Sequence, residues 1–508
     1  MRAGAPKARC DGSRAVNELQ QFAARRLAEG GRGRGVRFEG QWHGWDEICG
    51  IAHEVNPLIA ASGAPDHATV LFVAGNTSAE LAALLGLLAE GRTVRFLYAF
   101  QSGKAIAAKV AELKPGVVLA AAPVFSDEVR AAIAARGACG IALGPSGAAA
   151  LPGLECSSAE PDPDAPVEPT LDIQTSGTTG PAKRFPVTYD KALHHWVRHA
   201  VSTAIGGEEE GAPPAMLYMA LGNLSGMMGT LPSLIRGCEI ILYEKFSLDG
   251  WLDYVRTYRP TMSGLQPAAV QMLLDTDVPA EDLSGLTGLI VGSAPLRPEQ
   301  RKAFEQRFGI PVLLAYGATE YYGTAASMSL ELLAKWGDAK DGSVGPAVPG
   351  FELRVVDADT GAILDAGEEG VLEVRSGKIG PDWIHTSDLA VIDEDGFLYL
   401  RGRADGAIIR GGFKLLPEDI ERALLEHEAL ATVAVVGVED RRLGQVPAAA
   451  VQAKPGRALP GFDALEAHLR QRVPATHIPV HWRQVEEFAR TPSLKIDRGA
   501  VVRLFEEA

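Results

Sequence analysis

The stretch Thr175-Ser176-Gly177-Thr178-Thr179-Gly180-Pro181-Ala182-Lys183 decides how the rest of the chain is interpreted. It follows an apolar, strand-like segment and consists mainly of hydroxyl-bearing residues and glycines before a final lysine. Glycines allow backbone N–H groups to approach anionic oxygens closely, and Ser and Thr hydroxyls add further donors. The lysine adds a point charge. We therefore predict a polyphosphate-binding loop rather than a flexible polar surface loop.

The stretch differs from the common nucleotide-binding P-loop at two positions. That pattern has Gly directly before the lysine and Ser or Thr directly after it. In this chain Ala182 precedes Lys183 and Arg184 follows it. The interpretation as a P-loop kinase or GTPase is therefore disfavoured.

Length and composition restrict the class of protein. A chain of 508 residues exceeds one ordinary core, so two or more domains are expected. The net charge of -15 argues against nucleic acid as a main partner. The five cysteines are scattered without CxxC spacing, which is typical of the reducing cytoplasm. No apolar run is long enough to predict an integral membrane segment.

Outward from the loop, apolar β-rich runs alternate with helical patterns. One series runs from Thr69 to Ala122, and a second runs from Met216 to Tyr316. This alternation predicts an α/β fold with two doubly wound βα halves. Predicted elements of the second half include strands at Met216–Ala220 and Glu239–Tyr243, and helices at Leu248–Tyr258, Pro267–Leu274 and Pro298–Phe308.

The remaining segments predict the domain organisation. Residues 151–169 are rich in Pro, Asp and Glu and are interpreted as a linker within the large domain. Short strands beyond Val344 predict a small β subdomain, and about the last hundred residues predict a mobile α+β lid. We place the large domain at 1–404 and the C-terminal lid domain at 405–508.

Six further segments follow the loop in a defined order. They are Gly292-Ser293-Ala294-Pro295-Leu296, Tyr316-Gly317-Ala318-Thr319-Glu320, His385-Thr386-Ser387-Asp388-Leu389, Gly402-Arg403-Ala404-Asp405-Gly406, Gly411-Gly412-Phe413-Lys414 and Pro492-Ser493-Leu494-Lys495-Ile496-Asp497-Arg498. Together with the loop they resemble the signature segments of the adenylate-forming superfamily: acyl-CoA synthetases, stand-alone adenylation domains and luciferases. The chain is most similar to an acyl- or aryl-CoA ligase, from about Trp45 to Arg498.

The chain departs from the usual family pattern at several positions within these segments. The family loop has Pro before its lysine and Gly after it, where this chain has Ala182 and Arg184. Ser387 and Leu494 each replace a usual glycine.

The resemblance implies a nucleotide site. In it Tyr316 stacks on adenine, Thr319 reaches the α-phosphate, Glu320 binds Mg²⁺, and Asp388 accepts hydrogen bonds from the ribose hydroxyls. Mg²⁺ prefers carboxylate oxygen together with substrate phosphates, which suits that assignment. The full implied ATP- and AMP-binding set is Thr175, Ser176, Gly177, Thr178, Thr179, Gly180, Lys183, Ser293, Ala294, Pro295, Tyr316, Gly317, Ala318, Thr319, Asp388 and Arg403.

The resemblance also implies catalytic and lid residues. Lys495 would stabilise negative charge at the reacting phosphorus, with Thr319 and Glu320 as the other catalytic residues. Asp405 would be the hinge about which the lid rotates between two half-reactions. The implied thiol channel contains Gly411, Gly412, Phe413 and Lys414.

Small residues near the implied reaction centre predict the acid pocket. Its predicted lining is Gly222, Asn223, Leu224, Gly292, Ala318 and Tyr321, and Tyr322 is a further candidate. Asn223 stands where many relatives carry histidine, and it either hydrogen-bonds a polar substituent of the acid or only shapes its loop. The small residues favour an aromatic or medium-to-long apolar acid.

The implied reaction has two steps. A carboxylic acid attacks MgATP to form acyl-AMP and pyrophosphate, and CoA then takes the acyl group as a thioester. One alternative acceptor is the phosphopantetheinyl arm of a carrier protein, and luciferase-like oxygenation is more remote. A non-catalytic adenylate-binding protein would lack Lys495, Glu320 or Asp388, and all three are present.

Overall fold

The computed structural model describes residues 17–506 apart from 32, 66, 157–165, 167, 176–182, 199–210, 294–295, 297, 359, 378, 404–406, 416, 490–495 and 497. The described part has the predicted mixed α/β fold, with a large N-terminal part and a small C-terminal part. The α-helices are α1 Glu18–Glu29, α2 Trp45–Ala61, α3 Ser78–Ala89, α4 Gly103–Leu113, α5 Asp127–Arg136, α6 Tyr189–Ala192, α7 Leu224–Arg236, α8 Leu248–Tyr258, α9 Pro267–Leu274, α10 Pro298–Phe308, α11 Leu330–Trp336, α12 Pro417–Leu425, α13 Phe462–Arg470 and α14 Arg498–Glu506.

Shorter helical segments and the strands complete the fold. A π-helix spans Leu193–Arg198, and 3₁₀ turns span Ala122–Val124, Ala280–Leu283, Thr319–Tyr321, Gly337–Lys340 and Ala475–His477. The strands are β1 Arg34–Phe38, β2 Gln41–Gly44, β3 Val70–Ala74, β4 Val94–Tyr98, β5 Val117–Ala121, β6 Cys139–Gly144, β7 Gly147–Ala150, β8 Thr170–Thr175, β9 Lys183–Thr188, β10 Ala215–Leu217, β11 Ile240–Leu242, β12 Met262–Leu265, β13 Gly288–Val291, β14 Val312–Ala318, β15 Gly323–Ser327, β16 Glu352–Val356, β17 Glu369–Arg375, β18 Ile384–Ile392, β19 Leu398–Arg403, β20 Ile408–Arg410, β21 Phe413–Leu415, β22 Leu430–Asp440, β23 Gly444–Ala453 and β24 His481–Gln484.

The first half forms a seven-stranded sheet in the order β7-β6-β5-β3-β4-β8-β9. Its central strand β3 is buried on both faces, because successive side chains point to opposite sides of a strand. Val70 and Phe72 pack into a cluster with helices α2 and α3, and Leu71 and Val73 pack into a second cluster with α4 and α5. Helices therefore cover both faces, as predicted for a doubly wound half.

The strands of the second half are divided between two sheets. Strands β10 and β11 pair with each other, and β11 also pairs with β1 of the N-terminal hairpin β1–β2. Strands β12 to β15 form a separate four-stranded sheet. The strands near Met216 and Glu239 were thus correctly predicted as strands, but β1, the second neighbour of β11, comes from a distant part of the chain.

The C-terminal third contains the predicted small sheets. Strands β16 to β19 form an antiparallel meander, and the lid contains the sheet β21-β20-β23-β22, with β24 added beside β23. Within the described ranges, no helix has the length and apolar character needed to cross a membrane. The proposed domain boundary between Ala404 and Asp405, and much of the proposed linker at 151–169, lie outside the described residues.

Candidate functional site

The carboxyl ends of three neighbouring strands bring most of the described candidate residues together. Strands β12, β13 and β14 are parallel and adjacent, so their carboxyl ends lie at one edge of the sheet. These strands are followed by Gln266, by Gly292 and Ser293, and by Thr319 and Glu320, respectively. Ligands collect at such edges in open α/β sheets. Segments predicted from distant parts of the sequence therefore meet at this edge.

The backbone at this edge is unusually close-packed. A Cβ atom on Gly317 would lie 2.4 Å from the backbone oxygen of Gly323 on the adjacent strand β15. The pairing of β14 with β15 shifts register between Tyr316 and Gly317. Glycine at position 317 is therefore required by the turn of the chain that presents Thr319 and Glu320. Ser293 has φ of 69°, a left-handed conformation that is uncommon for serine.

Tyr316 connects this edge to the antiparallel sheet. Its hydroxyl donates a hydrogen bond of 2.5 Å to Oδ2 of Asp388 on strand β18. Burial, together with the negative charge of Asp388, raises the pKa of Tyr316 well above its ordinary value, so the phenol remains a donor. A carboxylate offers several further acceptor positions. Asp388 can therefore accept from Tyr316 and from a vicinal diol.

The carboxylate of Glu320 is suited to bind Mg²⁺. Its side chain is partly exposed and forms no hydrogen bond or ion pair with another residue that the structure describes. Its neighbour Thr319 offers a hydroxyl at the same sheet edge. Mg²⁺ is commonly bound through one or two carboxylates plus substrate phosphates, and the partly exposed carboxylate of Glu320 suits that arrangement.

A hairpin of the C-terminal part lies over this edge. Gly411 and Gly412 form its two-residue turn between strands β20 and β21, with φ of 54° and 87°. A turn with positive φ at both positions strongly favours glycine. A Cβ on Gly412 would lie 3.5 Å from both Ser293 Cβ and Gln266 Nε2. The predicted thiol channel and the predicted nucleotide site are thus adjacent.

A second set of contacts joins the lid to helices of the large part. Arg441 Nη2 donates to Asp275 Oδ1 at 2.7 Å, and Gln300 Nε2 donates to the backbone oxygen of Arg441 at 3.3 Å. Gln300 also donates to Gln271 Oε1 at 2.8 Å. These polar contacts hold the lid in the orientation in which Gly412 reaches the sheet edge.

The predicted acid pocket is only partly supported by the geometry. Asn223 caps helix α7, because its Oδ1 accepts a hydrogen bond of 2.7 Å from Gly226 N. Of the two predicted roles of Asn223, the structure shows the one in which its side chain shapes the loop, here by capping helix α7. Gly222 is buried against Phe96 and Tyr98.

Two further pocket predictions fall on core residues. Leu224 packs inside the main hydrophobic cluster, and Tyr321 is only 1% exposed, with its ring beside those of Tyr316 and Phe351. Both side chains therefore belong to the hydrophobic core. Gly292, Ala318 and Asn223 remain partly exposed.

Tyr322 is the better candidate for the pocket wall. It has φ of 60°, which is strained for a bulky residue. Its carbonyl accepts a hydrogen bond of 2.9 Å from Trp196 Nε1, and its ring stacks on His195 at 5.4 Å. Lys191 Nζ donates to its hydroxyl at 3.3 Å. The sequence alone does not indicate which of Tyr321 and Tyr322 faces the core.

Ser176, Gly177, Thr178, Thr179, Gly180, Ala294, Pro295, Asp405 and Lys495 lie outside the described residues. The structure describes only the backbone of Thr175, Lys183, Arg403 and Lys414. The backbone of Arg403 pairs with that of Asp388 in neighbouring strands, and the backbone of Lys183 pairs with that of Thr175.

Comparisons with known proteins identify the family. The model for AMP-binding enzymes matches residues 29–381, and the model for the AMP-binding enzyme C-terminal domain matches residues 419–495. This chain belongs to the AMP-binding enzyme family, whose members include acid–CoA ligases.

Three relatives illustrate the range within the family. The indoleacetate–CoA ligase of Aromatoleum aromaticum is 28% identical over 92% of this chain and 94% of its own length. The sulfoacetate–CoA ligase of Cupriavidus necator is 30% identical over 69% of this chain and 70% of its own. The structure of the amide bond synthetase McbA from Marinactinospora thermotolerans is 25% identical, with a TM-score of 0.80 over 95% of this chain and 99% of that one.

Proposed function

We propose that this enzyme activates a carboxylic acid with ATP to form acyl-AMP, and then transfers the acyl group to the thiol of CoA. Support comes from one observation above all. The segments that end β12, β13 and β14 share one sheet edge, with Asp388 linked to it and the Gly411–Gly412 hairpin above it. Such an arrangement allows a nucleotide, an acid and an incoming acceptor to meet.

In the first step the acid carboxylate attacks the α-phosphorus and pyrophosphate leaves. No protein nucleophile is needed, so catalysis depends on positioning and charge stabilisation. We assign adenine stacking to Tyr316, the ribose hydroxyls to Asp388, the α-phosphate to Thr319, and the reacting centre to Lys495. Glu320 would hold Mg²⁺, which when bound neutralises phosphate charge.

In the second step the thiol attacks the acyl-AMP carbonyl and AMP leaves. We assign the entry of the thiol to the passage beside Gly411 and Gly412, since a side chain at position 412 would narrow the space near Ser293. Asp405 is the proposed hinge of the lid, with domains at 1–404 and 405–508.

The acid is proposed to be aromatic or medium-to-long and apolar. Tyr322 provides an aromatic wall, and Gly292 and Ala318 leave room beside the reaction centre. The indoleacetate–CoA ligase relative, which aligns over most of both chains, is consistent with an aromatic acid.

An amine is a second candidate acceptor in place of CoA. The specific observation that favours it is the similarity to the amide bond synthetase structure, which covers nearly the whole of both chains. A carrier-protein thiol is a third acceptor that would use the same first step.

The proposal is tested by measuring AMP and pyrophosphate release across a panel of acids with MgATP. Each acid is assayed with CoA, with a phosphopantetheinylated carrier protein, with a primary amine, and without an acceptor. We expect acid-dependent AMP formation that CoA accelerates, together with an acyl-CoA product. If AMP formation depends on the acid but is accelerated only by the amine or by the carrier protein, that compound is the acceptor instead of CoA. Absence of acid-dependent AMP formation throughout would refute the proposal.

A further inference from the structure

A buried ionic cluster lies at the root of the predicted phosphate loop. The two strands that flank the loop, β8 and β9, are antiparallel, with the backbones of Thr175 and Lys183 paired where the loop begins and ends. Strand β9 is the edge strand of its sheet. Residues 176–182 of the loop lie outside the described part of the chain, and β8 and β9 are the strands that flank them.

The cluster consists of Asp172 on β8, Arg184 on β9 and Arg95 on β4. Asp172 is 1% exposed and Arg95 is 2% exposed, whereas Arg184 remains 31% exposed. Arg184 Nε donates to Asp172 Oδ2 at 2.7 Å, and Arg184 Nη2 contacts the same oxygen. Arg95 Nε lies 3.4 Å from Oδ2, and Arg95 Nη1 donates to the Leu113 carbonyl at 2.6 Å.

These contacts orient Arg184 in three steps. The last residue of helix α4 holds Arg95 through its carbonyl. Arg95 in turn contacts Asp172, and Asp172 holds the guanidinium of Arg184. A carboxylate buried this deeply requires cationic partners, and removal of one partner from a buried pair is strongly destabilising locally. Two guanidinium groups and one carboxylate leave a net charge of about +1 at the root of the loop, which favours an anion nearby.

We propose that Arg184 and Asp172 are positioning residues for the pyrophosphate-binding loop. Their ion pair fixes β9 against β8, the two strands that flank the predicted pyrophosphate-binding segment in the sequence, and we expect the pair to lower the KM for ATP and for pyrophosphate in the acyl-AMP half-reaction. This inference rests on the proposed function. It also accounts for arginine at a position where the usual family loop has glycine.

The two half-reactions provide the test, because only the first uses pyrophosphate. Purified full-length variants are assayed for acid-dependent exchange between pyrophosphate and ATP, and separately for thioester formation from synthetic acyl-AMP and CoA. Arg184→Gln is expected to raise the KM for ATP and for pyrophosphate at least about tenfold, which corresponds to about 1.4 kcal/mol. Thioester formation from acyl-AMP should remain within about twofold of the wild type, since that step does not involve the loop.

Asp172→Asn separates positioning from direct contact. If Arg184 acts through its pair with Asp172, this variant should show the same rise in both KM values. If Arg184 instead binds phosphate directly, Asp172→Asn should leave the KM for ATP unchanged, and the positioning role would be wrong.

The chain offers a control pair with the same contacts in a more exposed position. Arg256 Nε and Nη2 donate to Asp282 Oδ2 at 3.0 Å and 2.6 Å, between helix α8 and the 3₁₀ turn Ala280–Leu283. Arg256→Gln should leave both half-reactions unchanged. Equal loss of both half-reactions in Arg184→Gln would show a general structural role and overturn the inference.

Arg184→Lys keeps the test decisive if Arg184→Gln does not fold. Lysine retains the charge but not the two-pronged contact. The KM of the Arg184→Lys enzyme for ATP should therefore lie between the values of the wild type and of Arg184→Gln. An unchanged KM for ATP in Arg184→Lys would contradict the proposal. A wild-type enzyme without acid-dependent exchange would instead contradict the proposed function itself.

Discussion

The hydroxyl of Tyr316 donates a hydrogen bond of 2.5 Å to the carboxylate of Asp388, and so joins two sheets at the candidate site. Tyr316 lies in β14, where it pairs with Ala326 of the antiparallel strand β15, and Asp388 belongs to the separate antiparallel sheet of β16 to β19. The two residues assigned to adenine and ribose are therefore held in a fixed relative position before any nucleotide binds. Such preorganisation reduces the entropy cost of binding.

Tyr316→Phe should weaken ATP binding while it preserves stacking. The change removes one hydrogen bond to a charged group, which is worth about 1.5–3 kcal/mol. We expect the KM for ATP to rise by roughly tenfold or more, since about 1.4 kcal/mol corresponds to tenfold. Steady-state kinetics at saturating acid measures this effect. Tyr254→Phe is the control, because Tyr254 OH donates to the Pro214 carbonyl at 2.9 Å in another buried cluster; an equal rise in that variant would contradict a local role.

Lys495→Ala should separate the two half-reactions. The lysine is proposed to stabilise charge at the reacting phosphorus, so its loss should lower the rate of acyl-AMP formation by about 10²-fold or more. Thioester formation from supplied acyl-AMP should be nearly unchanged, because no phosphoryl transfer remains. Rapid-quench measurement of each step checks this, and equal loss in both steps would count against the assignment.

Tyr322→Gly should widen the range of acids. Glycine adopts the left-handed backbone of this position without strain, and it removes the aromatic ring that is proposed to line the acid pocket. We expect the kcat/KM for bulkier aromatic acids to rise about tenfold relative to that for smaller ones, as for other changes of pocket volume. The matched control is Tyr322→Phe, which keeps the ring and removes only the hydroxyl that contacts Lys191. An unaltered acid preference in Tyr322→Gly would exclude Tyr322 from the pocket.

The lid should lose stability in acid because of His477. Burial, with a smaller effect of the nearby Arg410 charge, lowers the pKa of this imidazole to about 4 from 6.5. The unfolded chain therefore binds a proton more readily than the folded lid between those values. The stabilisation is fully present above pH 6.5 and is lost as the pH falls towards 4, by at most about 1.4 kcal/mol per pH unit.

Hydrogen exchange of lid peptides between pH 6.5 and 4, after correction for intrinsic rates, measures this loss. His477→Gln cannot titrate, so its lid should lose less protection than the wild type over the same range. Parallel profiles for the two proteins would rule out His477 as the source. Arg410, which donates to the Ile478 carbonyl at 3.2 Å, also begins the Gly411–Gly412 turn, so the loss should extend to that hairpin.

Local patterns determined much of the fold. The predicted helices Leu248–Tyr258, Pro267–Leu274 and Pro298–Phe308 have the bounds found in the structure. Each begins after a Ser or Gln or at a Pro, and each contains an apolar face, features that depend on neighbouring residues alone. The alternation of strands and helices likewise predicted the doubly wound first half.

Non-local relationships were not predictable in this way. The pairing of β11 with β1 joins residues about two hundred positions apart, and side-chain periodicity carries no information on which strands become neighbours. Tyr321 and Tyr322 are chemically identical neighbours, and only the tertiary packing assigns one to the core and the other to a partly exposed position. The helix-capping role of Asn223 likewise depends on the position of Gly226 N in the folded chain, which residue type alone does not specify.

The buried carboxylate of Asp172 has a consequence for engineering and for evolution. Exchange of the loop and β9 for those of a relative with glycine at position 184 would remove one of its two cations, while Arg95 and β4 stayed behind. Grafts at this point should therefore succeed only when β4, β8 and β9 are exchanged together. Sequence drift at positions 95, 172 and 184 should accordingly be correlated rather than independent.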